Sequence, residues 1–314
     1  MAANDDERLE TFTTVRDWFR HAVSRFQAAK LAFGHGAANA IDEAAFIVLE
    51  GLSLPIDALD PFLDARLTKK ERERLQSLVD ARVETRKPAA YLLNRAYIQG
   101  VPFYVDERVI VPRSFIGELL FAGLAGSHGL IDDPQAILSV LDFCTGGGSL
   151  AILAAQQFED AVVDAVDVSK DALEVAKRNV EMHKLAARIN LLEGDGFAPV
   201  AARRYDLILA NPPYVLSADV DAFPPEFAAE PRIAHDGGAD GLAIVRRLLA
   251  GAPEHLTRDG LLVCEIGQGR RRVEAAFPAL PFLWLDTAEC SGEVFALRAK
   301  DFGAHGKGKR GARA

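Results

Sequence analysis

The stretch Tyr205-Asp206-Leu207-Ile208-Leu209-Ala210-Asn211-Pro212-Pro213-Tyr214 decides how the rest of the chain is read. Leu207 to Ala210, following Asp206, is a short run apolar on both faces, the pattern of a buried strand in a parallel sheet. Pro212 and Pro213 have no N–H and a fixed φ, so the ladder stops and the chain leaves the sheet rigidly. The strand's carboxyl end then holds one carboxamide, carbonyls without ladder partners and an aromatic ring. Ligands bind at that end in open α/β sheets. By itself the same tetrapeptide is equally an ordinary strand-terminating turn; its neighbours decide.

Working outward, the chain alternates strand and helix from Ile137 onward, which predicts an α/β domain with a Rossmann-like, mainly parallel sheet. Ile137 to Phe143 reads as a strand, Cys144-Thr145-Gly146-Gly147-Gly148 as a glycine loop, and Ser149 to Gln157 as a helix. Ala161 to Val166 is a second strand ending at Asp167, with Asp171 to Lys184 as its helix. Ile189 to Leu192 is a third, running out at Gly194-Asp195-Gly196, and Leu207 to Ala210 the fourth. A long loop leads to the helix Leu242 to Leu249 and a fifth strand, Leu261 to Ile266. Late strands near Leu283 to Leu285 and Val294 to Leu297 bring the count to seven.

Upstream, residues 1–86 read as a small helical domain for recognition. Val15, Trp18, Phe19, Ala22, Val23 and Phe26 form one apolar stripe, with Thr11, Thr13 and Thr14 as candidate N-caps. A second helix runs from Ile41 to Glu50. Thr68-Lys69-Lys70-Glu71 is a capping-box pattern opening a third, which Lys87-Pro88 ends. His35, between Gly34 and Gly36, reads as a loop residue. Residues 87–113 are rich in β-branched and aromatic side chains (Tyr91, Tyr97, Ile98, Val101, Phe103, Val105, Val109 to Val111), a hairpin linking two domains. Residues 114–300 form the α/β domain, and 301–314 a flexible basic tail.

Bulk properties bound the function. The 314 residues carry 49% hydrophobic and 26% charged residues, a globular composition with a sizeable core. A net charge of -9 argues against broad nucleic-acid binding. Cys144, Cys264 and Cys290 are odd in number and lack metal-site spacing, which fits reduced thiols in the cytoplasm. The acidic Asp5-Asp6-Glu7 start is no signal peptide, and no apolar run reaches membrane-spanning length.

A strand followed by Gly146-x-Gly148 and a helix makes a nucleotide-type loop, and Asp167 at the next strand end suits ribose hydroxyls. Gly146-x-Gly148-x-x-Ala151 also satisfies the dinucleotide fingerprint, so a dehydrogenase is a rival of another class. Three details favour S-adenosylmethionine. Asp142 lies just before the loop, where it could pair with the ammonium group of a methionine moiety. Asp195 ends the third strand, within reach of an adenine amine. Asn211-Pro212-Pro213-Tyr214 ends the fourth, where a methyl group would be delivered. A nucleic-acid amino-group methyltransferase could use the same turn, yet no dense basic run interleaved with aromatics is present.

With these residues in view, the chain resembles a known family. Asp142-Phe143-Cys144-Thr145-Gly146-Gly147-Gly148 and Asn211-Pro212-Pro213-Tyr214 resemble the class I S-adenosylmethionine-dependent methyltransferases that modify amide or amine nitrogens. Glu230-Pro231, Gly237-Gly238-Ala239-Asp240-Gly241-Leu242 and Glu265-Ile266-Gly267 are similar to protein-(glutamine-N5) methyltransferases. Within that family, Phe103 to Ser114, Tyr91 to Ala96 and the early Gly34-to-Ala44 stretch resemble the branch acting on large-subunit ribosomal protein L-three. The branch acting on release factors typically has Pro-Arg-Pro-Glu-Thr-Glu after the hairpin. Cys144 departs from the glycine common among class I enzymes. The resemblance implies methyl transfer from S-adenosylmethionine to a glutamine of ribosomal protein L-three, with release factors as the alternative substrate. The cofactor would lie against Asp142, Cys144 to Gly148, Asp167, Asp195, Gly196 and Asn211. In the implied mechanism the Asn211 side-chain oxygen and the Pro212 carbonyl accept the two amide N–H bonds. The prolines keep those acceptors preorganised, and Tyr214 walls the pocket.

Overall fold

The computed structural model describes residues 2–122, 124, 129–288 and 291–303. In chain order it forms helices α1 (Ala2–Thr11), α2 (Val15–Ala28), α3 (Ala40–Gly51), α4 (Lys69–Thr85) and α5 (Ala89–Leu93). Hairpin strands β1 (Ala96–Ile98) and β2 (Val101–Phe103) and helix α6 (Phe115–Ala122) come next. Strands and helices then alternate as β3 (Ser139–Phe143), α7 (Ser149–Gln157), β4 (Val162–Asp167), α8 (Lys170–Met182), β5 (Ile189–Glu193) and β6 (Tyr205–Ala210). Short helices α9 (Ser217–Asp221) and α10 (Pro225–Ala228) precede α11 (Ala243–His255), β7 (Leu256–Glu265), α12 (Arg270–Ala276), β8 (Leu283–Asp286) and β9 (Ser291–Arg298). Among the described residues no helix is long and apolar enough to cross a membrane.

The chain divides into two compact units, the first made of Met1–Ala96, Val105–Glu107 and Phe223–Glu230. Its helices start where the caps say they should. Thr14 with Asp17 and Thr68 with Glu71 each close a two-way capping box, satisfying N–H groups that a helix start leaves orphaned. Val15, Trp18, Ala22 and Phe26 bury the apolar stripe of α2. The unit's polar centre is Arg82, fully buried, whose Nε and Nη2 donate to Glu43 at 2.9 and 3.1 Å. Glu226 from α10 accepts from the Ala32 amide at 3.1 Å and pairs with Arg86 at 2.6 Å. His35 lies in the loop between α2 and α3, as its sequence position indicates, and is buried there, 3.5 Å from Glu230 and with its ring 4.2 Å from that of Phe227. Residues 223–230, which the sequence presents as part of a long loop, are thus core members of the helical unit.

The β character expected over 87–113 is confined to two three-residue strands. Gln99 and Gly100 both have positive φ, the signature of a tight type I′ hairpin turn. Tyr91 is in α5, while Val105, Val109 and Val111 are buried outside any strand. β-branched residues report burial against neighbours as much as ladder formation.

The second unit holds the sheet, in the order β5-β4-β3-β6-β7-β9-β8. All neighbours are parallel except β9, which runs antiparallel to β7 and β8. This is the class I methyltransferase architecture. Leu207 and Leu209 face one core with Val140, Val163 and Val263; Ile208 and Ala210 face the other with Leu141, Phe143 and Leu262. Every residue of Leu207 to Ala210 is fully buried, and burying a leucine or isoleucine side chain contributes roughly 1.5–3 kcal/mol. Phe143 pairs with Val166 on one side and Ala210 on the other, so β3, β4 and β6 end level. The chain order reverses at β3, opening a crevice there. The tail expected from Asp301 begins instead as a helical turn that buries Phe302; its remainder past Gly303, and Cys290, lie outside the described residues.

Candidate functional site

A cavity of about 350 Å3 lies at the carboxyl ends of β3, β4 and β6, within the size range of small-molecule sites. Of the residues singled out by sequence, Cys144, Gly146, Asp167, Asp195, Gly196, Asn211 and Pro213 line it. Asp142, Thr145, Gly147, Gly148, Pro212 and Tyr214 are not among its lining residues, so the ring of Tyr214 does not wall it as expected. Arg108, Val109 and Phe143, which fall inside the quoted motifs, also line it, as do Ile233 and Arg247, which no motif marks.

The loop after β3 is shaped by backbone conformation. Cys144, Gly146 and Gly148 have φ of 62, 53 and 82°, in the left-handed region. A cysteine there costs roughly 1–2 kcal/mol more than glycine would. A side chain at Gly148 would sit 3.2 Å from the Ala176 Cβ, whereas Gly146 faces open space. Burial pushes the Cys144 thiol up, so it stays protonated and apolar.

Asp167 ties β4 to this loop: its carboxylate accepts from the Gly146 amide and, at the start of α8, from the Ser169 amide, both at 2.8 Å. Burial holds its carboxyl above the ordinary range, and those two amide bonds offset part of the rise. Asp142 lies beneath the loop, 1% exposed, its Oδ2 accepting from the Thr145 hydroxyl and from the Ala151 amide at 2.9 Å. Burial pushes this carboxyl up to about 7 against those bonds, with Asp167 adding to the rise. Among the described residues its buried Oδ1 has no hydrogen-bond partner, an acceptor that suits a cationic or N–H-bearing ligand group. Asp195 is engaged by Arg247 at 2.7 Å, and the bare Cα of Gly196 leaves room for that guanidinium. Both side chains are well exposed, so the pair adds little stability and can reorganise around a ligand.

At the end of β6, Asn211 is half-buried and its Nδ2 donates to the Arg113 carbonyl at 3.4 Å. A carbonyl can face only the NH2 end of the carboxamide, so the side-chain oxygen is turned the other way. Among the described residues no N–H or O–H is bonded to that oxygen or to the Pro212 carbonyl.

The glycine-rich run 237–241 buttresses the turn. Val215 donates to the His235 carbonyl at 2.9 Å, and Gly237 to that of Val215 at 2.8 Å. A Cβ on Gly237 would stand 2.8 Å from the Pro213 carbonyl oxygen, and one on Gly241 2.5 Å from that of Tyr214. Glycine is required because backbone lies directly on backbone. The Tyr214 ring covers Gly267, where a Cβ would be 2.7 Å from Cε2. Burial and the neighbouring Glu265 keep its hydroxyl protonated.

Comparison with known proteins follows the same lines. Residues 125–223 match the family model described as Methyltransferase small domain. The chain is 57% identical over 291 residues to a protein of Bradyrhizobium diazoefficiens, spanning 92% of this chain and 91% of that one. It is 53% identical to one of Bordetella pertussis (95% and 98% covered) and 52% identical to one of Burkholderia pseudomallei (93% and 97%). All three carry the name ribosomal protein uL3 glutamine methyltransferase. With half or more of its residues identical to theirs across nearly its whole length, and a class I sheet ending in Asn-Pro-Pro-Tyr, the chain belongs to the ribosomal protein uL3 glutamine methyltransferase family.

Proposed function

We propose that the chain transfers a methyl group from S-adenosylmethionine to the side-chain amide nitrogen of a glutamine in ribosomal protein uL3. The observation that carries this reading is the Asn211 carboxamide, anchored through Nδ2 so that its oxygen stays available beside the cavity. When bound, S-adenosylmethionine supplies an electrophilic methyl group on a sulfonium whose departure as a neutral thioether needs no proton donor. Asp167 and Gly146 would hold the ribose side of that cofactor and Asp195 with Gly196 its adenine. The orphaned Asp142 Oδ1 matches the cationic amino-acid end.

A glutamine amide nitrogen is a poor nucleophile because its lone pair is delocalised into the carbonyl. The work of the chain is therefore to position it and to favour the polarised amide. The Asn211 oxygen and the Pro212 carbonyl accept the two N–H bonds, and as the N–CH3 bond forms and the CH3–S bond breaks, one of the two N–H protons is released through the cavity to solvent. Neither proline can donate to those acceptors or relax, so they are preorganised at little cost during turnover. Tyr214 stiffens the turn by packing on Gly267. A corner presenting lone pairs alone repels a carboxylate, which excludes glutamate in place of glutamine.

The helical unit, with the reading of 1–86 as recognition domain and 87–113 as linker, serves the protein substrate. A net charge of -9 suits encounter with a basic ribosomal protein in the cytoplasm. Incubation with methyl-labelled cofactor and either uL3 or a release factor, followed by mass spectrometry, tests the reading. Label on a uL3 glutamine is expected; label on the release factor alone, or on neither, overturns it.

A further inference from the structure

We propose that Glu265 is a positioning residue that sets the orientation of the Asn211 carboxamide through the Arg113–Ser114 peptide. This rests on the glutamine-methylation reading above. Glu265 closes β7, 3% exposed. Its Oε2 accepts from the Ser114 hydroxyl at 2.6 Å and from the Phe115 amide at 2.9 Å, at the start of α6. Glu265 therefore pins the Ser114 side chain and the Ser114–Phe115 peptide, and so holds from its C-terminal side the adjoining Arg113–Ser114 peptide, whose carbonyl receives the Asn211 Nδ2. If that peptide rotates, Asn211 loses the partner that distinguishes its nitrogen from its oxygen.

The other side of the turn meets the same strand end. Tyr214 packs on Gly267, two residues after Glu265, whose φ of 49° turns the chain under the ring. Glu265 thus sits between the two supports of Asn211-Pro212-Pro213-Tyr214, the Arg113 carbonyl and the floor under Tyr214. Burying a carboxylate among neutral donors is costly. An apolar side chain would close this core at less cost but could not hold Ser114 and Phe115 together.

The test uses the full-length enzyme as wild type, E265A, E265Q and S114A, with kcat and KM for uL3, cofactor Kd by calorimetry and melting curves. E265A is expected to lose about a hundredfold in kcat, the scale of a small misplacement of reacting groups. S114A should lose about tenfold, and E265Q, whose side-chain oxygen still accepts from both donors, should stay within about fivefold. KM for uL3 and cofactor Kd should move less than about threefold in each.

A kcat of E265A within about threefold of wild type, an equal loss in cofactor affinity, or an E265Q no better than E265A overturns the proposal. If E265A does not fold, S114A decides: a lower kcat with an unchanged melting curve is expected, and an unchanged kcat refutes it. A crystal structure of E265A or S114A reads the same point without substrate. Asn211 turned away from the Arg113 carbonyl is expected, and an unmoved carboxamide overturns the inference whether or not uL3 is the substrate.

Discussion

Replacing Asn211 with alanine separates catalysis from stability. Among the described residues the side chain makes one hydrogen bond, Nδ2 to the Arg113 carbonyl at 3.4 Å, which is long. Losing such a bond at a half-buried site costs about 0.5–1.5 kcal/mol. The same truncation removes the acceptor aimed at the substrate amide. Deleting one preorganised hydrogen-bonding group at the point of charge development costs roughly 10²–10³ in kcat, about 2.7–4 kcal/mol. The catalytic penalty therefore exceeds the folding penalty severalfold. Methyl transfer to uL3 gives kcat, calorimetric titration gives cofactor affinity, and urea unfolding gives stability. We expect kcat to collapse while the other two shift little. Turnover within about tenfold of wild type, or about 1.4 kcal/mol, would falsify the assignment. Asn211→Asp sharpens the result, because a carboxylate has no N–H for the Arg113 carbonyl and repels it; this variant should be as inactive as Asn211→Ala.

Three further outcomes are expected. Gly267→Ala puts a Cβ 2.7 Å from the Tyr214 ring at φ 49°, and should destabilise by about 1–3 kcal/mol in thermal unfolding; an unchanged melting temperature would show that the ring can move away freely. Arg82→Ala removes both guanidinium donors from the buried Glu43 carboxylate, and should cost about 3–5 kcal/mol in urea unfolding followed through tryptophan fluorescence. Less than about 1 kcal/mol would mean that water reaches that centre. For Asp142 the folded carboxyl lies near 7 against an ordinary 3.8, so the folded state binds the extra proton between those values. Its contribution is present below about pH 3.8 and is lost as pH rises toward 7. The stability of wild type relative to Asp142→Asn should therefore fall across that window; a flat or rising difference would show that the carboxyl ionises normally.

The division of labour between sequence and fold follows the range of the interactions. Within one element, period and end chemistry act over a few residues. The capping boxes at Thr14 and Thr68, the four-residue apolar run before Asn211, and the glycines of the loop after β3 are therefore readable from the chain alone. They are enough to identify a parallel sheet with ligand chemistry at its carboxyl ends. Other features join residues far apart, and no local rule says which donor meets which acceptor. Ser114 reaches Glu265 across 151 positions, and Ala32 reaches Glu226 across 194. The pairing of Asp195 with Arg247, the seating of residues 223–230 in the helical unit, and the backbone-on-backbone packing that demands Gly237 and Gly241 are of this kind. Asp142 shows the boundary within a single side chain. Its place before the glycine loop is a matter of sequence, but its burial and its one unsatisfied oxygen exist only once α7 has packed over β3. Pattern specifies elements and their ends; the choice among distant partners, and with it the electrostatics of the site, belongs to packing.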